Sequence, residues 1–451
     1  MVSRGTSIVL TVAVILLFCA STTVIGVTIK TLDGYDITYI LNDGTNSDDN
    51  PSRYNVGDEI EFKDPTREGY IFIGWFSDAD LTNEMNSIPK GTTGDITIYA
   101  KWEKSLIGKL LSYDLTGTYI DTSNSSNYNI TGMMTYEYLD YNRTSGYQTR
   151  MMQSTAVDNG TDVIKSAYNN TNWSNDDEEP TPTVEYGFKI DTTISGKITC
   201  EKWTWVQDES GKTNTQIQYI NDEIPYVVEM IEVEGTKTTS YRYDLTGIND
   251  QSKTEIPRNY TWTYKGTEYN ISLKISFSDF VNHRTDTIKR SQGSNSHDLQ
   301  FVTVNNKYVK EIAQKIVDLT TSNPAINSDA DRIGMALAFT QYILYKEDVK
   351  SVGSNEYWKF PIETLMDEEG DCEDTSILFC ALTKAMGYDC CMIIYPGHMA
   401  AGVNNSECTG NHYVFNGKNY YYCETTAIWA VGHAFGSGCS PSDVQRHIVV
   451  S

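Results

Sequence analysis

The stretch from residue 370 to residue 403 constrains this chain more than any other part. Apolar residues recur at three- and four-residue spacing across 375–387, which predicts a helix. Cys372 therefore lies at or just before the first turn of that helix, where free N–H groups and the helix dipole favour a thiolate. The short apolar run 389–395, which ends at a Pro-Gly pair, predicts a buried strand.

A histidine and a carboxylate follow the cysteine on neighbouring predicted strands. His398 comes directly after the first strand. Asn416 and Gly417 separate two further apolar runs, which is a strong signal for a two-residue hairpin, and the second strand of that hairpin delivers Glu424. Thiol catalysis needs a thiolate, an imidazole that moves the proton and a third group that orients the ring. The order of these residues predicts such a set.

Three carboxylates flank the candidate nucleophile, namely Asp371, Glu373 and Asp374. Negative charge beside a thiol raises its pKa, unless the acids point elsewhere or hold a cation. Carboxylate oxygens are the ligands that calcium prefers, but acids at a helix start also serve as caps. The residues alone leave both interpretations open.

Residues 370–374, 397–403 and 420–426 resemble the transglutaminase-like superfamily, which has a papain-like core and the order Cys, His, Asp. The closer likeness is to the bacterial transglutaminase-like cysteine proteinases, which share the run Gly-Asp-Cys-Glu-Asp. The resemblance implies a nucleophile, a general base and an orienting acid at Cys372, His398 and Glu424. In those proteinases the acids beside the cysteine help to hold calcium, which implies a metal site at Asp371, Glu373 and Asp374.

The resemblance also implies a fold and a reaction for residues 257–451. The fold is an α+β papain-like domain, and the reaction is attack of a thiol on a peptide or amide carbonyl of a protein or peptide substrate, with no cofactor beyond calcium. Two positions depart from the family pattern: Glu424 replaces the usual Asp, and Met399 replaces the usual aromatic residue after the histidine. Protease, crosslinking transferase and non-catalytic surface adhesin remain the alternatives.

Further residues of this region have expected roles. Trp358, Phe360 and Pro361 precede the nucleophile and are expected to line the cleft. Gln341 has two possible roles: it assists an oxyanion hole, or it lies at the edge of the core. The second interpretation is preferred. The backbone N–H of Cys372 is the better oxyanion donor.

The composition excludes nucleic acid as a partner and permits disulfide bonds. The formal charge is −25, from 60 acidic and 35 basic residues, so nothing supplies the basic surface that nucleic acid requires. Nine cysteines include seven between Cys372 and Cys439. Outside the cell, up to three disulfides are permitted among six of them: Cys380, Cys390, Cys391, Cys408, Cys423 and Cys439.

The N-terminal region predicts export. Arg4 precedes an apolar run over residues 8–27, so that residues 1–30 form either a cleaved signal peptide or a membrane anchor. Either alternative places the rest of the chain outside the cell or on its surface.

Residues 36–103 predict a small β-module with an aromatic core. Its marks are Asn42-Asp43-Gly44-Thr45, Pro65-Thr66-Arg67-Glu68-Gly69-Tyr70, Gly74-Trp75-Phe76 and Tyr99-Ala100-Lys101-Trp102. These resemble the Listeria–Bacteroides repeat, also called the internalin B-repeat. The resemblance implies a β-grasp-like spacer or adhesive module on a surface protein, without a catalytic role and with a cell-surface or cell-wall partner as one alternative.

Residues 105–255 consist of alternating apolar and polar runs separated by polar stretches, which predicts an antiparallel all-β domain, either a sandwich or a half-barrel. Trp203 and Trp205 point to the same face of one strand, and core packing is preferred over a sugar-binding platform. The whole chain is therefore expected to be multidomain: a β-grasp-like repeat, an antiparallel β-domain and an α+β papain-like domain.

Overall fold

The structure is a computed structural model that describes residues 34–174 and 180–450. Contacts between residues divide the chain into two compact units, Met1–Ser105 and Leu106–Ser451. The predicted signal or anchor over residues 1–30 lies outside the described residues. In the described part, no helix has the length and apolar character needed to cross a membrane.

The first unit, as described over residues 34–105, is built from strands without a helix. They are β1 Tyr35–Ile40, β2 Arg53–Tyr54, β3 Ile60–Glu61, β4 Tyr70–Phe76, β5 Ser87–Ile88 and β6 Ile96–Lys104. Four of them form a sheet in the order β2-β1-β6-β4, whose central pair β1–β6 is parallel and whose other pairs are antiparallel. Trp75, Ile88 and Ile98 are fully buried beneath this sheet.

The turn that follows β1 explains one of the sequence marks of the module. Asn42 and Asp43 have positive φ angles of 48° and 67°, a conformation that these residue types tolerate. A Cβ atom on Gly44 would lie 2.5 Å from Cζ2 of Trp102, so only glycine fits. The Trp102 indole N–H donates to the carbonyl of Leu41 at 2.8 Å, which fixes the ring against the turn.

The second unit begins with a nine-stranded antiparallel sheet. Its strands are β7 Leu110–Asp121, β8 Ser126–Asn142, β9 Gly146–Asp158, β10 Val163–Trp173, β11 Thr183–Thr192, β12 Gly196–Glu209, β13 Lys212–Asn221, β14 Ile224–Glu234 and β15 Lys237–Ile248. The order is β10-β9-β8-β7-β15-β14-β13-β12-β11, so two meanders join where β7 pairs with β15. The region is all-β as predicted, and it forms a single sheet rather than a two-sheet sandwich.

The nine-stranded sheet curls around a cavity of about 1030 Å³, which we call the sheet cavity. Strands far apart in the sheet line it together, for example β9 through Met151 and β12 through Trp203. The curl is therefore deep enough to partly enclose one face. Trp203 and Trp205 are half-buried on this wall, outside the buried cluster of the sheet, so the preference for core packing was wrong.

The C-terminal part of the second unit has helices followed by a second sheet. A hairpin of β16 Glu255–Tyr264 and β17 Thr267–Ser276 leads in. The helices are α1 Phe277–Arg284, α2 Asn295–Asp298, α3 Lys307–Thr321, α4 Asp329–Gln341, α5 Asp348–Ser351, α6 Pro361–Asp367 and α7 Cys372–Ala385. Two short strands, β18 Leu344–Tyr345 and β19 Glu369–Gly370, pair in parallel just before α7.

The last sheet has five antiparallel strands in the order β22-β23-β21-β20-β24. They are β20 Asp389–Tyr395, β21 His398–Asn404, β22 His412–Phe415, β23 Lys418–Cys423 and β24 Arg446–Val450. Asn416 and Gly417 have φ angles of 51° and 76°, and Phe415 pairs with Lys418 across them. The predicted two-residue hairpin is therefore confirmed.

Helix α7 lies at the centre of this region. It packs against α3, α4, β20 and β21, and its residues from Glu373 to Thr383 are all buried. A helix that is apolar over most of its circumference must be enclosed in this way. Its first residue, Cys372, is therefore held by a rigid element.

The cysteines of the described residues are free thiols, so none of the permitted disulfides is formed among them. Cys390 and Cys391 are neighbours on β20 and point to opposite faces of the sheet, where they join different apolar clusters. Most of the free thiols are buried and act as small apolar side chains.

The edge strand β10 contacts the segment that leads into α7. Lys165 Nζ lies 3.0 Å from Glu369 Oε1 and also donates to the carbonyl of Asp367 at 3.2 Å. Lys346 Nζ donates to the carbonyl of Val163 at 3.0 Å. The curled sheet and the helical region are thus joined beside the candidate nucleophile.

Candidate active site

Cys372 is the first residue of α7, and the glycine before it is required by close packing. A Cβ atom on Gly370 would lie 2.7 Å from Cβ of Asp374, one turn into the helix. Asp371 occupies the N-cap position in an extended conformation, and its carbonyl accepts from the backbone N–H of Thr375 at 3.1 Å. Because Cys372 begins the helix, its own N–H has no intrahelical acceptor.

His398 begins β21, and Glu424 comes directly after β23, so neighbouring strands bring the two together. His398 Nε2 lies 3.0 Å from Glu424 Oε2. Within the described residues, the other ring nitrogen, Nδ1, has no hydrogen-bond partner. The imidazole is therefore held at one nitrogen and open at the other.

The thiol of Cys372 lies against the start of β21. The backbone N–H of Met399, the residue after His398, acts to lower the pKa of this thiol against the larger effect of burial, so it lies near the sulfur. Ser376, one turn along α7, donates to the carbonyl of the same Met399 at 3.4 Å. The thiol, the imidazole and the carboxylate thus come from α7, β21 and the end of β23.

The environment of the thiol opposes ionisation in the absence of a cation. Burial raises the pKa of Cys372 well above its ordinary value, and the charges of Glu373 and Asp371 raise it further. The thiol itself donates to Glu373 Oε2 at 3.2 Å. The conflict between helix dipole and acidic neighbours that the sequence suggested is therefore present in the structure.

Glu424 has every oxygen bonded. Besides His398, its Oε2 accepts from the hydroxyl of Tyr422 at 2.6 Å, and its Oε1 accepts from the N–H and hydroxyl of Thr426 at 3.0 and 2.7 Å. Burial acts to raise the pKa of Glu424, but these hydrogen bonds outweigh it and lower the pKa to about 2. The carboxylate stays ionised and fixes the ring of His398.

The loop that carries Glu424 is tied to the rest of the site. Gln341 Nε2 donates to the carbonyls of Glu424 and Trp429 at 2.8 and 2.9 Å. The hydroxyl of Thr425 lies 2.9 Å from that of Thr375 on α7. Gln341 therefore positions the orienting acid, which agrees better with the core-edge interpretation than with an oxyanion donor.

The acids near the thiol form a group that differs by one member from the predicted one. Oxygens of Asp348, Asp371 and Asp374 all lie within 4.8 Å of one another. Glu373 is not a member of this group, and its Oε2 accepts from the thiol of Cys372. Sequence reasoning missed Asp348, since nothing in the chain between it and the nucleophile indicates that α5 folds back onto α7.

One carboxylate oxygen of each acid in this group lacks a hydrogen bond among the described residues: Asp348 Oδ1, Asp371 Oδ1 and Asp374 Oδ2. Lys359 Nζ is 3.4 Å from the last of these, close enough for charge attraction without hydrogen-bond geometry. Hard oxygen ligands with open lone pairs are what calcium takes. The residues present therefore fit a divalent cation.

Burial and the mutual repulsion of these acids raise their pKa values. Burial raises the pKa of Asp348 to about 8 and that of Asp371 to about 9, and the neighbouring acids add to both shifts. Burial also raises the pKa of Glu373 to about 7. For Lys359, burial acts to lower the pKa, but Asp374 and other acids outweigh it and raise it.

The aromatic residues before the nucleophile do not line a cleft. Trp358, Phe360 and Pro361 are buried, and the ring of Phe360 stacks on Phe301 at 5.0 Å between centroids. Phe301 also meets the indole of Trp358 edge to face. The cleft expectation was wrong because these side chains pack in the core, the two rings of Trp358 and Phe360 against Phe301.

Comparison with known proteins identifies one region of the chain. Residues 35–101 match the Listeria-Bacteroides repeat domain, so the first unit contains such a repeat, as the sequence marks predicted. No curated protein matches the chain.

Proposed function

We propose that the chain is a thiol enzyme that acts on peptide or amide carbonyls through Cys372, His398 and Glu424. The observation that supports this most is the 3.0 Å bond between His398 Nε2 and Glu424 Oε2, with the Cys372 thiol against the residue that follows His398. Such catalysis requires a nucleophile, a base and an orienting acid. The thiol at the helix start, the imidazole with one open nitrogen and the fully bonded carboxylate have these roles.

The reaction follows from these roles. The imidazole takes the thiol proton at Nδ1, and the sulfur attacks the carbonyl carbon, so that a C–S bond forms. The backbone N–H of Cys372 stabilises the developing oxyanion. The C–N bond then breaks, the imidazolium returns the proton to the leaving amine, and Glu424 stabilises the positive ring throughout.

The acyl group on sulfur is released by an acceptor. Water gives a peptidase, and a primary amine gives a crosslinking transferase. The run Gly370-Asp371-Cys372-Glu373-Asp374, shared with the bacterial transglutaminase-like cysteine proteinases, favours hydrolysis of a protein or peptide substrate, and the same motifs support a papain-like fold for residues 257–451.

Calcium belongs to this proposal through Asp348, Asp371 and Asp374, which have the open oxygens to hold it. When bound, the cation supplies positive charge that offsets the carboxylates around the thiol. The backbone N–H of Lys359 donates to Asp374 Oδ1 at 2.8 Å, which leaves Oδ2 for a cation.

The proposed location is the cell surface or its exterior. The supporting features are the apolar run over residues 8–27 behind Arg4 and the Listeria–Bacteroides repeat at residues 35–101. Partners there are a protein substrate and a component of the cell surface or wall.

A second candidate function is a surface adhesin in which residues 257–451 no longer react. Two observations favour it: the raised pKa of the Cys372 thiol and the presence of the sheet cavity away from that thiol. In this alternative the acids form a stabilising calcium site and do not influence reactivity.

Alkylation of Cys372 distinguishes the two functions. Intact protein is treated with iodoacetamide at neutral pH, in calcium and in chelator, and the modified residue is identified by mass spectrometry. For a thiol enzyme we expect Cys372 to react faster in calcium, and His398→Ala to slow it by about tenfold or more, because the base is lost.

The matched control is His412→Ala, an exposed histidine on β22 of the same sheet, which should leave the rate unchanged. A rate that stays slow in calcium and does not respond to His398→Ala would contradict the thiol-enzyme proposal and favour the adhesin. Cys372→Ala, which should lose the label and melt normally, checks that the signal comes from this thiol.

A further inference from the structure

The sheet cavity has a wall of aromatic rings whose orientation is set before any ligand binds. Trp203 and Trp205 lie on β12 with their ring centroids 5.9 Å apart and their planes 30° from parallel. The indole N–H of Trp203 donates to Glu201 Oε2 at 3.0 Å, which fixes that ring. Both side chains are half-buried, so a ligand in the cavity has access to them.

Polar amides lie directly beside these rings. On β13, Gln218 is opposite Trp203 and Gln216 is opposite Trp205. Both glutamines line the cavity, and in the part of the chain that the structure describes their side chains make no hydrogen bond. A purely apolar ligand would bury two amides without partners, which is costly. A ligand with hydroxyl groups satisfies them.

The charge of the wall excludes anions. Its described lining includes the acids Glu201, Asp222 and Glu223 but has no lysine, arginine or histidine. An anionic ligand would therefore meet acidic side chains and no basic side chain in the described lining. The net charge of −25 adds to this effect over the whole molecule.

The size of the cavity further restricts the kinds of ligand that fit it. Its volume of about 1030 Å³ is just above the range of ligand pockets, roughly 300–1,000 Å³. A small cation, which an aromatic and acidic wall would also attract, would leave most of this space unfilled. A chain of several linked rings would occupy it.

We propose that the sheet cavity binds a neutral oligosaccharide. The apolar C–H faces of sugar rings stack on Trp203 and Trp205, and their hydroxyl groups bond to the amides of Gln216 and Gln218 and to carboxylate oxygens. This binding is independent of Cys372 and holds whether or not the chain is a thiol enzyme.

The first test is titration of the full chain with neutral tri- and tetrasaccharides of glucose, mannose, galactose and N-acetylglucosamine, followed by calorimetry. We expect at least one of these to bind, and Trp203→Ala to weaken it by about tenfold or more, because a central aromatic contact is lost. Val206→Ala is the matched control, since this exposed residue lies on the opposite face of the same strand and should change nothing.

A second variant guards against misfolding of the tryptophan variant. The double change Gln216→Leu and Gln218→Leu keeps the side-chain volume but removes the hydrogen bonds, so sugar binding should fall about tenfold or more. Circular dichroism and thermal melting confirm that each variant is folded.

Several outcomes would overturn the proposal. They are no binding of any neutral sugar at millimolar concentration, binding that neither variant weakens, or tighter binding of a fatty acid, a quaternary ammonium compound or an acidic oligosaccharide than of every neutral sugar. Tighter fatty-acid binding by the leucine variant alone is expected and supports the role of the amides.

Discussion

The buried carboxylate of Glu424 and the buried acids around Asp371 belong to the same candidate site, and their environments are opposite. Glu424 is surrounded by donors from His398, Tyr422 and Thr426, and its pKa is lowered to about 2. The acids around Asp371 have open oxygens and raised pKa values. Burial acts in the same direction on both, so the difference comes from the hydrogen bonds that Glu424 accepts and from the mutual repulsion of the acids around Asp371.

The comparison indicates which part of the site is complete. The protein alone supplies everything that Glu424 needs to orient a histidine. The acid group has Lys359 as its nearby cation and leaves three oxygens open, so it needs a further positive charge. We therefore expect the orienting pair to be insensitive to calcium and the acid group to depend on it.

The largest effect is expected from Lys359→Met, which keeps the apolar stem but removes the buried charge. Asp374 and Asp367 would lose a cation while fully enclosed, and we expect a loss of about 3–5 kcal/mol in the free energy of unfolding. Denaturant unfolding in chelator measures this loss, and calcium should restore part of it.

The control for this change is Lys350→Met on α5, whose side chain is 52% exposed. It should alter the free energy of unfolding by no more than about 0.5 kcal/mol. Equal losses in the two variants would mean that the buried acids do not depend on a cation, and the comparison would fail.

Asp348→Asn tests the member of the acid group that sequence reasoning missed. Calcium at a concentration of about 100 Kd should stabilise the unchanged protein by about 2.7 kcal/mol. The variant should lose most of this gain, because the negative charge is removed and the one oxygen that Asn keeps accepts from the N–H of Tyr357. Thermal melting with and without calcium measures it. Glu347→Gln, at the exposed neighbouring position, should keep the full gain.

A smaller effect is expected from Glu424→Gln, which should cost about 1.5 kcal/mol near neutral pH. The folded pKa of about 2 lies below the ordinary value of 4.5, so the stabilisation by ionised Glu424 is complete above pH 4.5 and is lost as pH falls toward 2. Unfolding curves at several pH values should show the two proteins converging in acid. A constant difference down to pH 2 would contradict the assigned shift.

Local patterns in the sequence predicted much of the fold near the site. The strand over 389–395 and the hairpin at Asn416 and Gly417 agree with the structure, because buried apolar runs and turn residues determine such elements locally. The helix of the periodic run 375–387 begins at Cys372, at the position where the sequence placed its first turn.

Local sequence patterns could not predict the contacts between residues that are distant in the chain. Asp348 and Lys359 reach the acid group only because α5 and the following loop fold back onto α7. The sheet cavity likewise depends on the pairing of β7 with β15 and on the curl of the whole sheet. Tyr422 had a usable signal, since alternation along a strand places it on the same side as Glu424.

The contact between Lys165 and Glu369 has a consequence for how this chain can be divided. Glu369 contacts Lys165 of β10, and Gly370 follows it directly. A side chain at residue 370 would clash with Asp374. A fragment that starts at residue 257 would lack β10. Glu369, which lies on the short strand β19 just before the nucleophile, would then lose its contact with Lys165. The repeat at residues 35–101 lies in a compact unit of its own, whereas the nucleophile segment shares its unit with the curled sheet.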